Sequence, residues 1–318
     1  MTAFIVRRLL GAIPLLFLVT LISYALMGLS PGGPASILGQ QARGLTPALR
    51  AHFIASLGLD KPWYVQYFYW LGSLLHGSLG FSFVDNRPVT DKILERLPVT
   101  LELLCLSLFV TLAVAIPVGV KAATSRGSWF DHISSALAFA AYATPIFWLG
   151  IVLVDIFAIH LRWFPTSGIA SLGHEGDLLD RLKHLVLPVI TLSIVSFASW
   201  MRYQRGSMIE AMTAPFVRTA RAKGLSERIV VYRHALRNAL IPTVTLLGLT
   251  LPGLVGGAYF IEFVFSLPGM GLLGIDSVFS RDYPTVMGIT LLSAILVVIG
   301  NLLADVLYAV VDPRIRYE

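Results

Sequence analysis

The sequence predicts an all-α integral membrane protein with six transmembrane helices. Three observations lead there. Only 13% of the 318 residues are charged and 56% are hydrophobic, whereas an ordinary soluble domain carries roughly 25% charged residues. Six stretches are apolar over a length that crosses a bilayer core, about 20 residues. Lysine and arginine fall unevenly on the alternate connections between those stretches, as the positive-inside rule requires.

The spans read as Leu9–Ser30, Val99–Val120, Ile133–Leu161, Leu185–Met201, Ala239–Phe265 and Pro284–Val311. The first follows Arg7 and Arg8 in the manner of a secretory signal. It is longer than a signal core of about 7–15 residues and no A-x-A site follows, so it is expected to be a retained helix. The fourth is short and holds Pro188.

Placing the N-terminus in the cytoplasm puts most of the 24 Lys and Arg residues inside, including Lys121, Arg126, Arg202, Arg205, Arg314 and Arg316. The acidic residues on that side are few: Asp131, Glu210, Glu227, Asp312 and Glu318. Both termini are therefore expected in the cytoplasm. The formal net charge of +6 is mainly a topology signal, and nucleic acid is not an expected partner.

Soluble chemistry finds little footing. Cys105 is the only cysteine, which excludes a disulfide framework and a cysteine-bound metal. The patterns G-x-x-x-x-G-K-[ST], H-E-x-x-H and G-x-S-x-G are absent, so neither a phosphate-binding loop nor a hydrolase motif is present. His174 and His184 lack ligand spacing and read as solvated loop residues. No catalytic residue and no metal site is expected.

The connections are uneven. Residues 1–98 combine the first span with a long outside segment, and residues 99–318 hold the five remaining spans. The outside segment opens with the turn-rich "SPGGPAS". In "TPALRAHFIASLG" Thr46 and Pro47 open a helix and Gly58 follows its end. "KPWYVQYFYWLGSLLHG" restarts at Pro62 and carries Trp63, Tyr64, Tyr67, Phe68, Tyr69 and Trp70. An aromatic cluster of that kind suits the membrane–water interface.

The largest inside loop, about residues 205–238, interrupts the apolar chain with "RTARAKGLSERIVVYRHALRNALIP". Thr213 is placed to cap a short helix, Phe216 to Lys223, with Pro215 in its first turn and Gly224 past its end. Ser226 then caps a second helix, with Glu227 near its positive end. Met208, Met212, Phe216 and Ala220 fall at i, i+4 spacing, while Arg218 and Arg221 point elsewhere. Such a loop could lie on anionic lipid, enforce topology, or fill a groove on a cytoplasmic partner. The residues by themselves leave these open.

The same loop resembles the cytoplasmic EAA loop of ABC-importer permeases, in the form found in the dipeptide/oligopeptide branch. Arg218, Thr219 and Ala220 stand where the general pattern has E-A-A before the glycine, here Gly224. The general pattern's proline is displaced too, with Pro242 farther downstream. "RRLLGAIPLLFLVTLISYAL", "SPGGPA", "LGLDKPWYVQYFYWL", "RLPVTLELL", "FSLPGMGLL", "RDYPTVMG" and "NLLADVLYAVVDPRIRY" extend the likeness over essentially the whole chain. They resemble the first of two permease subunits.

The resemblance implies a type I importer fold in a prokaryotic cytoplasmic membrane. Its expected partners are a second, homologous permease, two ATPase subunits that carry ATP and Mg, and an extracytoplasmic substrate-binding protein. The chain itself is then no enzyme and binds no cofactor. Phe216, Arg218, Thr219, Ala220, Arg221, Gly224, Leu225 and Ser226 are the expected contact with an ATPase. The expected cargo is a peptide; nickel, glutathione or an oligosaccharide fits the same architecture. An ion-coupled secondary transporter is the rival, and an inert assembly subunit a third class.

Four acidic residues lie in or at the rim of spans: Glu102, Asp155, Glu262 and Asp305. Ionisable groups at such depth face protein or water. Glu102 and Glu262 are near outer ends, where solvent can reach them. Asp155 is the main candidate for a translocation cavity, with Glu262 beside it. Asp305, toward the inner surface, reads as a structural charge that pairs with an arginine.

Overall fold

A chain this apolar must satisfy its backbone polar groups internally, as helices or as a closed barrel. The computed structural model takes the first course. It describes residues 2–29 and 60–311; within its helices the side chains of residues 2–5, 244, 245, 247–257 and 304–311 lie outside the description. The predicted helix at Thr46–Gly58 and the "SPGGPAS" break also lie outside the described residues. Among those described, the only extended pairing is an isolated bridge between Phe81 and Pro88.

The helices are α1 (Thr2–Leu29), α2 (Trp63–Leu75), α3 (Val89–Thr124), α4 (Trp129–Ala143), α5 (Ile146–Leu153), α6 (Leu178–Thr213), α7 (Pro215–Ala222), α8 (Glu227–Ile229), α9 (Leu236–Val264), α10 (Met270–Phe279) and α11 (Tyr283–Val311). A π-helical stretch, Val154–His160, continues α5, and another, Val230–Ala235, joins α8 to α9. Among the described residues four helices are long and apolar enough to cross a membrane: Val6–Leu29, Val89–Thr124, Leu178–Thr213 and Tyr283–Leu303. The pair Trp129–Ala143 and Ile146–His160 makes a fifth if it is one span. The predicted span Ala239–Phe265 falls almost wholly within α9, much of whose side-chain content is outside the description.

The third predicted span needs correction. It is not one helix: α4 and the α5 segment are bent by 103°. Pro145 has no N–H to give and crowds the residue before it out of helical geometry. Thr144 accordingly sits extended, at φ −85° and ψ 124°. The fourth predicted span is the apolar middle of a much longer helix, for α6 has 36 residues. At 1.5 Å per residue that is about 54 Å, well beyond a hydrocarbon core of about 30 Å.

The chain divides into two compact units, Met1–Pro98 with Gly269–Ile299, and Val99–Pro268 with Gly300–Glu318. In the first, α2 starts after Pro62, as the sequence predicts, and packs on α1 through Tyr67. That ring is fully buried, lies edge-on to Phe17 and Tyr24, and places its hydroxyl 3.1 Å from Thr20 Oγ1. Its neighbours Tyr64, Phe68 and Tyr69 stay exposed. Buried Asp282 accepts hydrogen bonds from Ser82 Oγ, from the Phe83 N–H at 2.9 Å and from Thr285 Oγ1 at 2.7 Å. In the same unit Val89, Ile93, Met270 and Ile289 form an apolar core.

In the second unit α6 is the spine. Leu185, Leu187, Val189 and Leu192 enter one core cluster with Leu103, Ile261 and Phe265. Ala198, Trp200 and Met201 enter a second with Ala115 and Ala138. Met208 and Ala211 enter a third with Val120 and Ala239. Polar links stitch the same helix to its neighbours. Arg181 binds Glu102 through Nε at 2.9 Å, Gln204 accepts from Thr243 Oγ1 at 2.7 Å, and Arg205 grips Asp131.

His184 is not a solvated loop residue. It is buried, with Nδ1 3.1 Å from the carbonyls of Ser167 and Gly168 and Nε2 3.3 Å from Ser171 Oγ. The loop before α6 folds back over it, held where Ser171 donates its backbone N–H and hydroxyl to Asp180.

Candidate coupling site at the helix-glycine-helix loop

The loop is built by two stop signals. At the first, α6 ends and Ala214 turns extended, φ −67° and ψ 151°. Pro215 then occupies the first position of α7, where its missing N–H costs nothing. Thr213 does not cap this helix: its hydroxyl donates back to the Glu210 carbonyl at 2.8 Å, and the N-cap is Ala214. The helix runs Pro215–Ala222, one residue earlier at each end than the sequence predicts.

The second stop is a Schellman turn at Gly224. Its φ of +76° is left-handed. Its N–H reaches the Arg221 carbonyl at 2.9 Å, and the Leu225 N–H reaches the Ala220 carbonyl at 3.4 Å, the two bonds that define this ending. A Cβ at Gly224 would meet nothing within 4 Å, so only backbone conformation demands glycine here. Ser226 then takes the N-cap place of α8 without a side-chain bond.

Burial separates the loop into an anchor and a face. Val217 is fully buried and Ala220 nearly so, packed with Met208, Ala211, Val230, Ala235 and Ala239. Phe216, Leu225 and Ile229 are exposed, as are Arg218, Thr219, Arg221, Gly224 and Ser226. This corrects the expected apolar stripe. Met208 and Ala220 are inside, but Phe216 is 40% exposed. The i, i+4 count from Met208 to Phe216 crosses the break at Ala214, where the helical register restarts. The sequence signal that finds Val217 is the spacing within α7 alone, Val217 to Ala220.

Of the two arginines, Arg221 reaches across the turn to Glu227, Nε to Oε1 at 2.6 Å and an Nη to Oε2 at 3.3 Å. That bond raises the guanidinium further above its ordinary value. The pair is solvent-exposed, so it adds little stability; it fixes where the charge stands. Arg218 is exposed on the same helix.

The expected cavity residues part company. Asp155 lies on the π-helical stretch, 56% exposed at its side chain, with its carboxyl 3.5 Å from His160 Nδ1. Glu262 is not solvated: it is fully buried and accepts from Thr100 Oγ1 at 2.6 Å. The Asp305 side chain lies outside the described residues. Among the described residues no group of three His, Cys, Asp or Glu side chains could hold a metal ion. The pairing of Asp131 with Arg205 and the Gly127 N–H has no signal in the sequence.

Known proteins match both the sequence and this architecture. Residues 115–317 match the family described as binding-protein-dependent transport system inner membrane component, and residues 1–104 match the N-terminal region of the membrane component of such systems. The oligopeptide transport system permease protein AppB of Bacillus subtilis (strain 168) is 42% identical over 318 residues, covering 100% of both chains. The dipeptide transport system permease protein DppB of Escherichia coli (strain K12) is 41% identical over 340 residues, again covering 100% of both. The di/tripeptide transport system permease protein DppB of Pseudomonas aeruginosa (strain UCBPP-PA14) is 40% identical over 336 residues. A chain of the inward-facing MetNI methionine ABC transporter shares the fold, with a TM-score of 0.56 and 19% identity over 69% of this chain and 96% of that one. With its helices, its fold and its full length matched in this way, the chain belongs to the family of inner membrane components of binding-protein-dependent transport systems.

Proposed function

We propose that this chain is one permease half of an ATP-driven importer of peptides. It spans the membrane six times with both termini in the cytoplasm. It pairs with a second, homologous permease, receives peptides from an extracytoplasmic binding protein, and takes its drive from two ATPase subunits that carry ATP and Mg. Support for the peptide class comes from the full-length relatives, which are oligopeptide, dipeptide and di/tripeptide permeases.

The observation that carries the reading is the division of α7 into anchor and face. Val217 and Ala220 fix it to the core while Phe216, Arg218 and Leu225 stand free. A short helix rooted on one side and bare on the other fits a groove in a partner. A partner that shifts α7 shifts whatever Val217 packs on. Phe216, Arg218, Thr219, Ala220, Arg221, Gly224, Leu225 and Ser226 are the coupling segment in this reading.

The test is mild-detergent purification followed by reconstitution. Co-purification of two ATPases and a second permease, with peptide uptake that needs ATP and binding protein, is the expected result. A lone chain that carries peptide down an ion gradient would overturn it.

A further inference from the structure

A groove between α4 and α6 holds chemistry that the coupling segment does not use. It is an open groove of about 430 Å³ lined by Tyr142, Ser199, Arg202, Tyr203, Gly206 and Ser207. Its α6 wall is a polar stripe: Ser199, Arg202, Tyr203 and Gly206 are exposed and recur at helical spacing. The opposite side of the same turns is buried, with Trp200, Met201, Gln204 and Met208 in the core. The α4 wall is aromatic, with Phe139 and Tyr142 exposed.

Arg202 dominates this groove. Its guanidinium carbon stands 5.1 Å from the centre of the Phe139 ring, which orients the planar group while leaving its edge N–H donors available. No carboxylate lies within ion-pair distance of it among the described residues, whereas Arg205, one turn on, is taken by Asp131. Two tyrosines and two serines line the groove with it. A guanidinium of this kind matches a carboxylate, with two parallel N–H bonds. The aromatic wall suits an apolar body attached to that carboxylate.

We infer that this groove binds the terminal carboxylate of cargo in transit, with Arg202 as the anion contact and Tyr142 and Tyr203 beside it. The inference rests on the peptide reading above. A carrier that passes peptides of many sequences can hold only what every peptide has, its backbone and its ends. A single exposed guanidinium binds such an end loosely enough to release it.

The groove lies toward the Thr213 end of α6, so the test approaches from the cytoplasmic side. The complete complex, with its binding protein, is reconstituted in vesicles, and the cytoplasmic face is loaded with a dipeptide or with its C-terminal amide. Uptake of labelled dipeptide is measured for wild type, Arg202→Gln and Arg202→Lys. In wild type the free acid should inhibit at about tenfold lower concentration than the amide, the difference of one charge-assisted contact. Arg202→Gln should erase that difference and Arg202→Lys should keep part of it. Arg202 is exposed, and retained partner subunits would show that the variants assemble.

Equal inhibition by acid and amide in wild type, or an unchanged difference in Arg202→Gln, overturns the inference and leaves peptide import standing. A wild-type complex that moves no peptide overturns both. Vesicles of neutral phosphatidylcholine are compared with vesicles containing anionic phosphatidylglycerol. An Arg202→Gln effect confined to the anionic vesicles, and indifferent to the amide, would mean that a lipid headgroup is the anion, and the inference falls.

Discussion

Arg205 holds Asp131 in a two-pronged grip, Nε to Oδ1 at 2.6 Å and an Nη to Oδ2 at 2.8 Å. The Asp131 side chain is 4% exposed and the Arg205 side chain 28%. Removing one partner of a buried pair costs about 3–5 kcal/mol because the other charge is stranded; the partial exposure of Arg205 places this pair toward the lower end. Arg205→Gln should therefore lower the melting temperature in detergent more than the double variant Arg205→Gln with Asp131→Asn does. Additive losses would show that the two groups do not depend on each other.

Gly224 is required by conformation and not by space. Gly224→Ala should cost roughly 1 kcal/mol for a left-handed side chain, and Gly224→Asn less, since asparagine tolerates that region. Stimulation of ATP hydrolysis by loaded binding protein should fall in Gly224→Ala and recover in Gly224→Asn. If Gly224→Ala keeps full stimulation, the shape of this turn is not what couples the loop.

Phe216 and Val217 are neighbours with opposite duties. Phe216→Ala should weaken retention of the ATPases in a pull-down and leave the melting temperature of the permease unchanged. Val217→Ala should lower that temperature, through a stability loss of about 1–2 kcal/mol for two buried methyl groups and the space they leave. The reverse pattern would reassign the anchor and the face.

Gly288 sits against the start of α3, where an added Cβ would come within 2.6 Å of Val89 Cγ1 and 3.1 Å of Ile93 Cδ1. Gly288→Ala should destabilise by about 1–3 kcal/mol, the cost of overpacking, and Val89→Ala should restore most of it. Thermal unfolding of the three variants decides the matter, and a Gly288→Ala protein as stable as wild type would show that the helices can part at this point.

Hydropathy made the helices legible because the bilayer imposes one length and one solvent. It could not show the bend at Thr144, since an apolar run reads the same whether straight or folded over. It also saw only the apolar middle of α6, because the polar turns at either end lie outside the window. At the candidate site, Pro215 and Gly224 were readable as punctuation because each acts on its own backbone. Phe216 escapes the i, i+4 count because the helical register restarts at Ala214. Asp131 meets Arg205 from a distant stretch of sequence, which no local pattern announces; His184 is covered by a loop that Ser171 and Asp180 fold back over it, a tertiary event that its own i−4 spacing to Asp180 does not foretell.

The helix α6 runs unbroken from the Asp177 cap, whose side chain accepts from Leu179 N–H, to the break at Ala214. Glu102 and the Ser171 loop grasp it near one end through Arg181, Asp180 and His184; α7 hangs from the other. Geometrically it is a lever of about 54 Å. Turning such a rod by about 5° about one end sweeps the other through about 5 Å, close to the pitch of one helical turn. A modest tilt imposed at α7 is thereby magnified into a displacement the size of a side chain at the far end, unless it is taken up at Pro188, where the helix lacks a backbone hydrogen bond.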